Sequence, residues 1–257
     1  MYLRSLYIFA LLVPGLCQAD STLTYGIEAQ PGSETIIQVK DGDVLMGDQE
    51  SKMLFKRGKQ EIVIIDHATK SYMVMDDAAA QRLEQQMGAA QQQMDAVMQQ
   101  MQKQMEGMSE EQRAQMQQLM GSHMPSPAAK VPAKTTVQQQ GEDTVAGVTC
   151  TKLMVLVNDK PSGDVCVARA GVLGLETKDY DSMVDATDAV RNIMEKVTGM
   201  GNNDAVTMNL RAMKGIPIRM RDLVDGDVST LDSRSSAELD AQLFTVPAGY
   251  QKKDLLR

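Results

Sequence analysis

The sequence predicts an α+β protein, an antiparallel β-sheet with helices, interrupted by a Met/Gln-rich helical segment. Three observations carry this expectation. Short alternating apolar runs separated by turn residues fill 22–76, the same pattern resumes at Thr135, and the stretch between them changes to a helical period. The 257 residues are 43% apolar and 23% charged, enough to bury a core without a metal or disulfide framework and to exclude disorder throughout. Thirty-four acidic groups face 26 basic ones with scattered signs, and tryptophan is absent, which argues against a phosphate-tracking or base-stacking surface. Nucleic acid is therefore not an expected partner.

Residues 1–19, MYLRSLYIFALLVPGLCQA, join a short n-region carrying Arg4 to an apolar run from Leu6 to Leu16 and a small-residue end. This is the pattern of a secretory leader cleaved after Ala19, with Cys17 and Ala19 at the two small positions. The run is too short to span a bilayer, and Pro14-Gly15 interrupts it. A lipidated Cys17 is the rival, but Leu16 stands where a lipoprotein signal wants a small residue. The expectation is a periplasmic chain, 20–257, forming a single domain with no integral membrane span.

The strands follow in order. TLTYGIEA, TIIQVK, VLMG, KMLFKRG, EIVIID and KSYMVMD are separated by Pro31-Gly32, Asp41-Gly42 and Gly58-Lys59. Consecutive short strands with tight turns predict an antiparallel meander with one face on a core. From Asp77 to about residue 136 lie the helical segment and its linker. Leu83, Met87, Met94, Met98, Met101, Met105 and Met108 fall mostly three and four residues apart, a helical stripe on a glutamine background. Gly88 and Gly107 are weak points, and Ser109 with Gln112 reads as the capping start of a second helix. An unbroken helix over 77–121 would be ~65 Å long, so a helical hairpin or a projecting arm is expected. Pro125, Pro127 and Pro132 mark the linker.

After export only Cys150 and Cys166 remain, on either side of a hairpin formed by VTCTKLMVLV and DVCVARA. An oxidising compartment favours a disulfide. A turn centred on Pro161-Ser162 would leave the cysteines out of register, so the bond requires a turn centred on Asn158 or a bulge. The alternative is two buried thiols. Next, Ser182 is read as the cap of a helix with Met183, Ala186, Val190, Ile193 and Val197 on its apolar face, ending at Gly199. AVTMNLRAMKG, IPIRMRDLV and DVSTLDS read as strands, and the end as a short helix followed by a closing strand around Val246-Pro247.

IIDHATKSYMVMD, VAGVTCTKLMV, DVCVARAGVLGL, GIPIRM and LFTVPAGY together resemble an uncharacterised exported family, a domain of unknown function grouped by fold with the outer-membrane lipoprotein carriers. The resemblance covers 22–76 and 135–250 and leaves the Met/Gln segment outside, as an insertion. It implies a curved, half-open antiparallel sheet with helices on its concave side, an architecture that in the carriers holds acyl chains. No site residue transfers with it.

No catalytic set is visible. His67 and His123 are far apart, no nucleophile elbow or metalloprotease helix is present, and Asp66-His67 at a turn reads as solvated. The acidic pair Asp76-Asp77 reads as helix capping. The protein is expected not to be an enzyme, and no cofactor is implied. The stripe of Met94, Met98, Met101, Met105 and Met108 permits three readings. It is the buried face of an amphipathic helix, or an adaptable surface for a hydrophobic ligand, an envelope partner or a second copy, or a soft-sulfur site for Cu(I). Copper sites usually add histidine, and here only His123-Met124 comes near. The function expected is therefore non-enzymatic binding or envelope maintenance, with a methionine-based copper or oxidant buffer as the alternative. The first turns after Asp77 are expected to dock on the domain and the distal part near Gly107 to serve a partner.

Overall fold

The computed structural model describes residues 20–106, 134–198 and 209–254. The leader (1–19), Met108, the second-helix start at Ser109 and most of the proline linker lie outside them. Among the described residues twelve strands form one open sheet. Strands β1 (Ser21–Ile27), β2 (Glu34–Lys40), β3 (Asp43–Gly47), β4 (Ser51–Lys56), β5 (Glu61–Asp66) and β6 (Ser71–Met75) pair in sequence as an antiparallel meander. A second run, β7 (Thr135–Val145), β8 (Val148–Val157), β9 (Lys160–Ala168), β10 (Ile216–Asp222) and β11 (Val228–Ser235), is also antiparallel. The two runs join where β1 pairs with β11, and β12 (Gln251–Lys252) adds a parallel edge beside β6.

Two-residue turns set the register of three hairpins. Asp41-Gly42, Ala146-Gly147 and Asn158-Asp159 all have positive φ, the backbone that matches the strands' right-handed twist. Asn158 and Asp159 adopt it at some steric cost, and the Asn158 side chain accepts a hydrogen bond from the Lys134 amide at 3.0 Å. At Gly47 the constraint is steric as well. Its φ is 142°, and an added Cβ would stand 2.2 Å from the Ser51 carbonyl oxygen. Gly47→Ala is accordingly expected to cost about 2 to 4 kcal/mol, from strain and a displaced β3–β4 connection, measured as a lower urea midpoint at unchanged slope.

In β3 to β5 neighbouring apolar side chains point to opposite faces, and both faces are covered. Val44, Phe55 and Ile62 share one core with Leu23, Tyr25 and Val39. Over this face lies α2 (Thr177–Thr198), which contributes Met183, Val184, Ala186, Val190 and Ile193. The alternate residues Leu45, Leu54, Val63 and Ile65 pack under Phe244, with Leu239, Val246 and Tyr250 beside it. The C-terminal tail thus supplies the second cover through a 3-10 turn, Ala241–Phe244. A single-faced meander was the expectation; the apolar residues at both alternating positions require the tail.

Cys150 and Cys166 form a disulfide, with Cα atoms 5.5 Å apart. Both conditions set by the sequence are met: the turn centres on Asn158-Asp159, and the register shifts after Val155. Cys166 faces Lys152, so the bond runs diagonally to Cys150 on the same face.

Four local expectations are corrected. Gly88 does not interrupt α1, which runs from Asp77 to Glu106, about 45 Å. Ser182 does not cap α2, because the helix starts a turn earlier and the Ser182 hydroxyl donates to the Lys178 carbonyl at 2.8 Å. Within AVTMNLRAMKG, residues 210–213 form a helical turn whose Asn209 side chain accepts from the Ala212 amide at 3.0 Å. The closing strand lies beyond Pro247, at Gln251–Lys252, since proline withholds the donor a ladder needs.

Candidate functional site

The start of α1 is built as the sequence indicates. The Asp76 carboxylate accepts from the Ala79 amide at 2.7 Å and satisfies one of the orphan donors of the first turn. Ala79 and Ala80 are buried, and the helix packs against β6 and α2. Small side chains at this root allow the close approach. Along the same stripe Leu83 is half-buried, and by Met94 the side chain is 55% exposed. Val97, beside it, is 59% exposed, while Met98 is half-buried. Met101 and Met105 lie on the helix, but their side chains are outside the described set. Among the described residues α1 meets the sheet chiefly at β6, a five-residue strand of about 17 Å against the helix's own length of about 45 Å.

Electrostatics sharpen the contrast. Between Gln85 and Gln102 the only charged residue is Asp95. This stretch therefore combines exposed thioether and aliphatic surface with neutral amides, and little charge keeps a partner away. Elsewhere exposed apolar side chains sit at Leu223 and Val224, on the β10–β11 tip, and at Val172 and Leu243.

His67 departs from the expectation that it is solvated. It is half-buried, its Nδ1 lies 2.7 Å from the Tyr250 hydroxyl, and the rings meet edge to face at 5.7 Å. It ties the β5–β6 turn to the tail, a packing role that local sequence could not reveal because Tyr250 is 183 residues away. Neighbouring Asp66 has its carboxyl held below the usual range, first by the Thr69 amide and then by the Thr69 hydroxyl. A 480 Å³ cavity over β2 and β3 is bordered by Glu34, Gln38, Glu50 and Lys52 beside Ile36 and Leu45. Its Asp48 carboxylate is engaged by the Glu50 and Ser51 amides, which hold its pKa down, the Ser51 contribution being the larger. No group of three or more metal-ligating side chains occurs among the described residues. No helix among the described residues is long and apolar enough to cross a membrane.

The profile of a domain of unknown function, DUF4412, matches residues 77–250. The chain belongs to this family. The matched span of this DUF4412 protein starts at the first residue of α1, ends at Tyr250, and includes the Met/Gln segment. No curated protein matches the chain. Among solved structures it is similar to an uncharacterized conserved protein from Thermus thermophilus, at 8% identity and a TM-score of 0.42, over 92% of this chain and 91% of that one.

Proposed function

We propose that this DUF4412 protein is an exported, non-enzymatic binding factor of the cell envelope that engages a hydrophobic partner through the distal face of α1. The exposure of Met94 and Val97, on a helix whose root is buried, carries this reading. Burying one such side chain contributes ~1.5 to 3 kcal/mol, so a partner covering both is well rewarded. Methionine adds a flexible, polarisable contact that accommodates acyl chains or varied protein surfaces. In this reading the sheet is the curved, half-open support of the lipoprotein carriers, with α2 across its concave side. Because α2 side chains fill that face, α1 rather than the sheet is the favoured contact surface.

Native mass spectrometry of the protein purified from the envelope of an exporting cell tests the proposal. The double variant Met94→Glu/Val97→Glu should lose a bound acyl ligand, partner or second copy that the parent carries, while its Tm stays within about 2 °C, as exposed substitutions do. Deleting 88–121 should likewise leave a folded, soluble core. Bound copper would instead establish the metal-buffer reading. A Tm lowered by more than about 5 °C in the double variant would mean that the stripe is core.

A further inference from the structure

The junction between the expected leader and the domain is a buried, charged site. Asp20 is only 4% exposed, and its carboxylate is held from two sides, by Lys40 Nζ at 2.8 Å and by the Leu239 amide at 2.7 Å. On the α2 side of the same strand the Ser21 hydroxyl donates to Asp179. Asp179 is 3% exposed and forms no ion pair among the described residues. Its neighbour Lys178 is engaged at 3.1 Å by Glu176. Two buried carboxylates are thus balanced by one half-buried cation, Lys40, leaving a net charge of minus one in a poorly solvated place. An uncompensated buried charge is costly, and burial accordingly pushes the Asp179 pKa up against the opposing Ser21 hydrogen bond.

We infer that cutting the Ala19–Asp20 bond completes this site, with the new α-ammonium of Asp20 serving as the missing cation for Asp179. The inference rests on the leader reading, which places the cut at that bond. In the cut, catalysed by the leader peptidase of the exporting cell, water adds across the peptide bond. A carboxylate forms on Ala19 and an amine on Asp20, which takes up a proton. The nitrogen belongs to the residue next to Ser21, whose hydroxyl Asp179 already grips, and Asp20 is near enough to act on the charge of Asp179. An uncut chain carries a neutral amide there. Processing is then a stabilising step as well as a release, and the first β-strand of the mature protein is fixed by its own terminus.

The sign of the pH dependence follows from the two groups. An α-amine paired with a carboxylate has a raised pKa, so its contribution is present below its unfolded pKa of about 8 and lost as pH rises through the folded value. At the acid end it is lost as Asp179 takes up a proton. Lys40 from β2, Glu176 and Lys178 from the start of α2, Glu238 from the tail and Arg234 from β11 also border the region.

Chains starting at Asp20 and at Gln18 should be compared by thermal melting. At pH 7 the chain starting at Asp20 is expected to melt roughly 2 to 4 °C higher. The gap should close at pH 10 and in the isosteric Asp179→Asn background. Equal melting temperatures, or a gap that survives both pH 10 and Asp179→Asn, would overturn the inference. If Asp179→Asn fails to fold, the pH profile of the two parent chains decides alone. N-terminal sequencing of the exported protein separates the two levels: a start other than Asp20 defeats the leader reading whatever the melting curves give.

Discussion

Ile193→Asp is expected to unfold the domain. Ile193 lies on the buried face of α2, in one core with Leu23, Val39, Val44 and Phe55. The substitution removes a buried aliphatic side chain, which costs about 2 to 5 kcal/mol by itself. It also places a carboxylate among residues that offer no counter-charge, where the group must be protonated or hydrated at further cost. The sum rivals the roughly 5 to 15 kcal/mol that holds a typical domain together. Loss of the cooperative melt seen by circular dichroism would be the positive result. A variant that melts like the parent would mean that α2 is a surface helix, and would remove the basis for a sheet with a helix packed on one face.

Removing the Cys150–Cys166 bond should give the second large effect. The bond closes a loop of about 15 residues, and constraining the unfolded chain to that extent is worth ~3 kcal/mol. For a chain of this size that corresponds to a Tm lower by roughly 6 to 12 °C. Both cysteines are buried, so reductant reaches them poorly in the folded state. The comparison is best made between the oxidised protein and the same protein refolded under reducing conditions. Because the bond joins β8 to β9 within the core shared with α2, the reduced form should also lose protection of the β8–β9 amides from hydrogen exchange. Equal melting temperatures would show that the hairpin is held by its ladder and its two-residue turn alone.

Much of the meander was legible because its signals are local. EIVIID reads as a strand and is one, β5 at Glu61–Asp66, since alternation at period two and the turn residues at either end act within a few residues. Asp41-Gly42 fixes β2 against β3 for the same reason. The α2 face was legible through the spacing of Met183, Ala186, Val190 and Ile193, although its start was misplaced by a turn. Ser182 is a fair cap in isolation, and only the packing of Tyr180 and Asp179 extends the helix before it; the Tyr180 hydroxyl donates to the Leu210 carbonyl at 2.9 Å. In AVTMNLRAMKG the apolar alternation suggested a strand, but the Asn209 side chain captures the Ala212 amide and turns the chain before β10 begins at Ile216.

Of the candidate surface, the stripe itself is a property of the sequence, because the placing of Met94 and Met98 on one helical face follows from spacing alone. Which part of that stripe is covered is not. It depends on where β6 and α2 stop, and helix length and sheet width are set by different segments of the chain.

The sequence by itself determined the kinds of element, most of their limits and the methionine- and glutamine-rich character of α1, all of which arise from residue-to-residue periodicity and turn chemistry. Only the tertiary structure decided that β1 pairs with β11, that β12 runs parallel to β6, that the tail covers the second face, and that Asp20 and Asp179 flank one buried junction. The reason is physical. Backbone hydrogen bonds between remote strands are alike for almost any side chain, so their partners are selected by the packing of the whole sheet.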